Sequence, residues 1–179
     1  MAITYKNIAS TTVASDGQLK INFTNIPQTY DDLEIIAMAR IVSSQNYKRE
    51  DINFTVNDET GSAYYYNARM YSGAYAMGGT QGYSSNGAMG ATSASGNTAG
   101  VFGVTKLYIP NYTSTTSRKN IIIDQSQMST SGGDPYWFTE IGGMNRQSTS
   151  AITSLQFITN NGQGFAQNST FYLYGIKNS

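Results

Sequence analysis

Residues 51–56 read Asp-Ile-Asn-Phe-Thr-Val, and this short stretch decides the fold. Apolar and polar side chains alternate there at every second position, which is the period of a β-strand with one buried face and one solvated face. The same alternation recurs at residues 19–24, 153–158 and 171–176. Four such stretches, with no convincing helical pattern between them, indicate a protein built from β-strands.

A second group of segments is rich in β-forming residues but lacks clean alternation. We interpret these segments as strands whose two faces are both at least partly covered; they are 33–42, 63–71, 101–109, 120–124 and 136–141. The first also admits a helical interpretation, because it contains Glu34, Ala37 and Met38. Its flanking β-branched residues, and the lack of an apolar stripe at helical spacing, favour a strand.

Turn-forming residues separate these runs, for example at Asp16-Gly17, 59–61 and 160–162. Eight to ten short strands joined by turns predict an all-β fold, an antiparallel sandwich or a barrel, formed by residues 1–179 as a single domain.

One long segment departs from this pattern. Residues 71–100 contain no charged side chain and consist mostly of Gly, Ala, Ser and Tyr. We predict a long loop that becomes ordered against a neighbouring subunit, and the alternative is an excursion without a partner. The candidate subunit-interface residues are Tyr71, Tyr75, Met77, Tyr83 and Met89.

The composition argues for association and against several classes of function. Lys and Arg number 11, Asp and Glu number 11, and charged residues make up only 12% of the chain, so the surface is neutral and weakly charged. This balance favours neither nucleic acid nor an anionic membrane as a partner. No apolar run is long enough to span a bilayer, and the first residues do not resemble a signal peptide, so we expect synthesis in the cytoplasm.

The chain has no cysteine and no histidine, which removes thiol nucleophiles and the commonest general base. Acidic residues cluster at 31–34, 50–51 and 58–59. Such clusters are compatible with glycoside hydrolysis, or with calcium binding at Asp58 and Glu59, but acidic residues are ordinary at strand ends and turns. We therefore expect a protein that is not an enzyme and that has no cofactor and no metal.

Two aromatic clusters are prominent, at residues 64–66 and at residues 135–138. Core or subunit-interface packing is the simpler interpretation of both clusters. The alternative is a platform on which sugar rings stack, formed by Tyr65, Tyr136 and Trp137.

Several short motifs occur in an order that resembles one family. They are Ile26-Pro27-Gln28-Thr29-Tyr30-Asp31-Asp32-Leu33, a hairpin at 54–64, Leu107-Tyr108-Ile109-Pro110-Asn111-Tyr112, and the ending Ser169-Thr170-Phe171-Tyr172-Leu173-Tyr174-Gly175-Ile176. This order resembles small jelly-roll-like structural proteins of tailed phages, including phages of cyanobacteria, described as head decoration, cement or fibre proteins.

The resemblance implies a jelly-roll topology and a place in the virion. A decoration protein would stabilise the phage head as a homotrimer bound to the major capsid protein. The alternative is a tail or head fibre module that binds host surface glycan. The family offers no catalytic residues to carry over to this chain.

Overall fold

A computed structural model describes residues 4–45, 47–61, 63–72, 75–84, 86–129 and 136–178. For residues 65–72, 75–84, 129, 136 and 137 it describes the backbone alone. Within these ranges the chain forms thirteen strands, and no helix there is long and apolar enough to cross a bilayer. The strands are β1 (Thr4–Thr12), β2 (Lys20–Phe23), β3 (Asp32–Val42), β4 (Arg49–Val56), β5 (Tyr64–Ser72), β6 (Tyr75–Ser84), β7 (Gly87–Ala94), β8 (Gly103–Ile109), β9 (Lys119–Ser129), β10 (Tyr136–Arg146), β11 (Leu155–Thr159), β12 (Gly164–Phe165) and β13 (Thr170–Lys177).

The strands form a large sheet and a small sheet that share β3. The large sheet has the order β1-β13-β3-β8-β9-β10-β5-β6. The small sheet has the order β2-β11-β4-β7, and continues to the end of β3 and to β12. β3 pairs with β8 over residues 33–39, whereas Arg40 and Ile41 pair with β7 in a parallel arrangement.

The core lies between the two sheets, and aromatic rings from both meet there. Phe157 of the small sheet lies 5.4 Å from Phe171 of the large sheet, measured between ring centroids. Phe54 lies 5.8 Å from Tyr64 in an edge-to-face arrangement, a favourable geometry for aromatic pairs. These pairs explain why the alternating stretches form strands, because nearly all of their apolar side chains are buried in this layer; Leu19 is the exception and is 56% exposed.

The prediction of an all-β fold is confirmed, and residues 33–42 form a strand rather than a helix. The arrangement is compatible with a β-sandwich whose pairing is antiparallel apart from the β3–β7 pair. The jelly-roll topology stays a prediction. Two strands were not predicted from the sequence: β1, whose side chains are mostly exposed, and the two-residue β12.

The predicted long loop at 71–100 is wrong in one respect, because the whole of β6 and the whole of β7 lie inside it. The small residues have a packing reason: β7 is buried along almost its whole length. A Cβ atom at Gly87 would lie 2.4 Å from Cζ of Phe54, so only glycine fits there. The glycine- and alanine-rich residues 87–94 of this neutral segment are therefore a buried strand.

Candidate binding groove and exposed sheet face

The outer face of the large sheet carries aliphatic side chains that the chain itself leaves uncovered. Val104 is 47% exposed, Ile122 51% and Ile141 55%. Together with Met38 and Met128, these residues form what we call the apolar face, on β3, β8, β9 and β10. Met38 and Val104 are direct cross-strand neighbours. Lys106 and Asp124, which are also exposed, separate Val104 from Ile122, so the apolar residues of this face are interspersed with charged ones. Exposed apolar residues that lie this close together, unlike single ones, are typical of interaction sites.

The sequence pattern of β9 explains how this face arises. Ile121, Ile122 and Ile123 follow one another, so one isoleucine must point away from the core that buries its neighbours. Ile121 and Ile123 are buried, and Ile122 is exposed. The prediction that both faces of this strand are covered therefore does not hold within a single chain.

A groove of about 380 Å³ adjoins the apolar face, with which it shares Ile122, at the place where β1, β13, β3, β8 and β9 lie next to one another. Its polar lining consists of Glu34, Lys106, Asp124 and Asn178. Its aromatic and aliphatic lining consists of Tyr5, Tyr108, Ile122 and Ile176. The groove therefore combines both kinds of surface that ligand sites use.

A buried carboxylate, that of Asp32, holds two of these lining residues in place. Its Oδ2 accepts hydrogen bonds from the Tyr108 hydroxyl and from Nδ2 of Asn178, both at 2.7 Å. Its Oδ1 accepts the backbone N–H of Asn111 at 2.8 Å. Burial, followed by the hydrogen bond to Asp32, raises the pKa of Tyr108 to about 12.

The neighbouring Asp31 fastens the end of β13 to the start of β3. Its carboxylate accepts hydrogen bonds from Nζ of Lys177 at 2.9 Å and from the backbone N–H of Asn178 at 2.6 Å. The hydrogen bond from Lys177, and then that from Asn178, lower the pKa of Asp31. The contacts of Asp31 and Asp32 support a structural role for this acidic cluster.

The third acidic residue of the cluster, Glu34, forms an ion pair inside the groove. Its Oε2 lies 2.7 Å from Nζ of Lys106. Glu34 is buried, whereas nearly half of the Lys106 side chain is exposed. The hydrogen bond to Glu34 raises the pKa of Lys106. A fixed donor and a fixed acceptor therefore stand side by side at the groove surface.

Glu59, predicted as a weak calcium ligand, instead pairs with a buried arginine. Nε of Arg146 donates to Oε2 of Glu59 at 2.9 Å, and Nη2 of Arg146 donates to Oε1. Because Arg146 is fully buried, it needs this counter-ion. Within the described residues, no group of three or more His, Cys, Asp or Glu side chains is placed to hold a metal ion.

The inner face of β10 holds another acidic residue that the sequence analysis did not single out. Glu140 is only 6% exposed. Burial, and then the negative charge of Asp51, raise its pKa to about 7, although the nearby Arg49 opposes this shift. The Arg49 guanidinium lies 4.4 Å from the centre of the Phe138 ring.

The residues predicted as a subunit interface divide into two groups. Met89 is fully buried in the core of its own chain, so its assignment to an interface is wrong. The other four belong to β5 or β6, and their side chains lie outside the described residues; they are Tyr71, Tyr75, Met77 and Tyr83.

The predicted glycan platform consists of Tyr65, Tyr136 and Trp137, and the side chains of all three also lie outside the described residues. Their neighbour Tyr64 is buried, and its hydroxyl oxygen accepts the backbone N–H of Val56 at 2.9 Å. The groove at Tyr5 and Tyr108 was not predicted from the sequence, because its lining residues are far apart in the chain; the first is Tyr5 and the last is Asn178. The only sequence signal for it was the acidic cluster at 31–34.

Comparison with known proteins gives no family. No protein-family model matches the chain, and neither the curated proteins nor the solved structures include a significant match.

Proposed function

We propose that the chain is a non-enzymatic structural protein that assembles with copies of itself through the outer face of the large sheet. The observation that carries this proposal is the apolar face. Each of its aliphatic side chains leaves apolar area in water that association would remove, at about 25 cal/mol per Å².

A second copy of the chain is the partner that fits this face best. The chain has no net charge, so no long-range field favours a partner of opposite sign. Exposed aliphatic side chains on one copy can pack against apolar surface on the next copy, and three copies related by a three-fold axis close such a head-to-tail contact into a ring. The proposed assembly is a homotrimer.

We place this assembly in the virion of a tailed phage, as a decoration or cement protein of the head bound to the major capsid protein. The order of the short motifs supports this placement, as does the neutral surface. In this role the chain adds stability to the capsid by mass action, because it binds only the assembled lattice.

The experiment is mass spectrometry of purified virions, followed by cryo-electron microscopy of the virions in which the chain is detected. We expect density for it that repeats across the capsid lattice in groups of three. Density confined to the tail or to sparse fibres would contradict the capsid role and favour the alternative, a fibre module that binds host glycan. Virions that lack the chain would contradict the virion placement.

A further inference from the structure

The groove on the large sheet has the dimensions and the rigidity of a ligand site. Its volume of about 380 Å³ lies within the usual range of ligand clefts, about 300–1,000 Å³. Its lining residues lie on strands or directly after one, and Asp32 fixes Tyr108 and Asn178 from behind. Sites built on strands hold their side chains more precisely than sites built on loops.

The charges of the groove disfavour an anion and offer paired hydrogen-bonding groups to a neutral ligand. Two carboxylates, those of Glu34 and Asp124, face a single ammonium group, that of Lys106. An anion would meet two negative charges, and a cation would meet the lysine. A hydroxyl group both donates and accepts a hydrogen bond, so it satisfies an ammonium and a carboxylate that stand 2.7 Å apart.

The remaining lining suits the carbon skeleton of a polyhydroxylated ring. Tyr5 is 55% exposed at the edge of the groove. An exposed aromatic ring offers an apolar face against which C–H groups of a sugar pack. Ile122, which is 51% exposed, supplies further apolar surface.

From these three features we propose that the groove binds a neutral sugar residue, with the ring packed against Tyr5 and with hydroxyl groups bound by Lys106 and Glu34. This site differs from the platform predicted at Tyr65, Tyr136 and Trp137. The inference goes beyond the proposed assembly role and does not depend on it.

The test is saturation-transfer difference NMR of the full chain with glucose, galactose, mannose, N-acetylglucosamine and disaccharides of these sugars. We expect saturable binding of at least one of them. The variant Tyr5→Ala should weaken that binding about tenfold, since it removes one aromatic contact. Lys106→Met should weaken it as well, and glucuronate should bind more weakly than glucose.

A matched control is Tyr47→Ala, because Tyr47 is a similarly exposed tyrosine that does not line the groove. It should leave sugar binding unchanged. Circular dichroism of each variant confirms that it is folded. The proposal is overturned if none of these sugars binds saturably, or if folded Tyr5→Ala and Lys106→Met proteins bind as tightly as the unaltered chain.

Discussion

The inner face of the large sheet buries several charged side chains, and its outer face exposes several aliphatic ones. This is the opposite of the usual distribution between core and surface. Along β9 and β10 the inner, buried face includes Lys119, Glu140 and Arg146. The outer face of the same two strands exposes Ile122, Met128 and Ile141. Buried charges stand behind exposed aliphatic residues within a single layer.

Two of the buried charged side chains on the inner face, those of Arg146 and Lys119, have specific partners that compensate for their burial. Arg146 is paired with Glu59, and it also donates to the Ser150 hydroxyl at 2.7 Å. Lys119 donates to backbone carbonyls, at 2.9 Å for Ser117 and at 2.6 Å for Thr149. These contacts fasten the loops at one end of the sheet. The outer aliphatic residues have no comparable internal role, and this contrast points to association.

Strand β13 allows the two faces to be compared at adjacent positions. Leu173 is buried in the core, and Tyr172 is partly exposed on the outer face. Leu173→Ala should destabilise the chain by about 2–5 kcal/mol, because it leaves a cavity. Tyr172→Ala should cost less than about 1 kcal/mol. Urea unfolding measures both, and equal losses would contradict the assignment of the faces.

The burial of Glu140 on the inner face can be tested through the pH dependence of the free energy of unfolding. Its folded pKa of about 7 lies above the ordinary value of 4.5, so the folded state binds the proton more tightly than the unfolded state. The stability that comes from this proton is present below about pH 4.5 and is lost as the pH rises to about 7 and above. The loss is on the order of 3 kcal/mol.

Glu140→Gln should remove this pH dependence. We expect the variant to be more stable than the unaltered chain at pH 8, and the difference to disappear near pH 4.5. Urea unfolding at several pH values between 4.5 and 8 measures both proteins. Stability curves that stay parallel over this range would show that Glu140 is not held in the environment described.

A substitution of Asp32 tests whether its hydrogen bonds hold the groove residues Tyr108 and Asn178 in place on the outer face of the sheet. Asp32→Asn replaces one acceptor oxygen by an amide donor that faces the donors from Tyr108, Asn178 and Asn111. We expect a loss of about 1–3 kcal/mol. The control Asp124→Asn alters an exposed carboxylate in the same groove and should change stability by less than about 0.5 kcal/mol. If the two variants lose the same stability, Asp32 does not organise the groove.

The sequence predicted the fold class well because period-two alternation is a local signal. It identified the strands that contain Phe54, Phe157 and Leu173, whose polar neighbours marked the solvated face. It did not find β6 and β7, because both lie in a stretch of small neutral residues whose composition resembles that of a loop. In β7, close packing of Gly87 against the ring of Phe54 requires a small residue. Local composition does not reveal which ring lies above a glycine.

The candidate site was less predictable than the fold. The acidic cluster at Asp31 and Asp32 was visible in the sequence, but its hydrogen bonds join residues about 80 to 150 positions away. The run from Ile121 to Ile123 predicted apolar surface on both sides of β9. Only the structure shows that one side has no cover within the chain.

The most direct measurement is the mass of the chain in solution, by sedimentation equilibrium, with Val104→Lys and Asn22→Lys as a matched pair. Each variant adds one lysine at an outward position, the first in the apolar face and the second on the small sheet. The unaltered chain and Asn22→Lys should form the same closed oligomer. Val104→Lys should weaken association about tenfold or more, because it places a charge without a partner in an apolar contact that association removes from water. A monomeric unaltered chain, or equal association of all three proteins, would contradict the account.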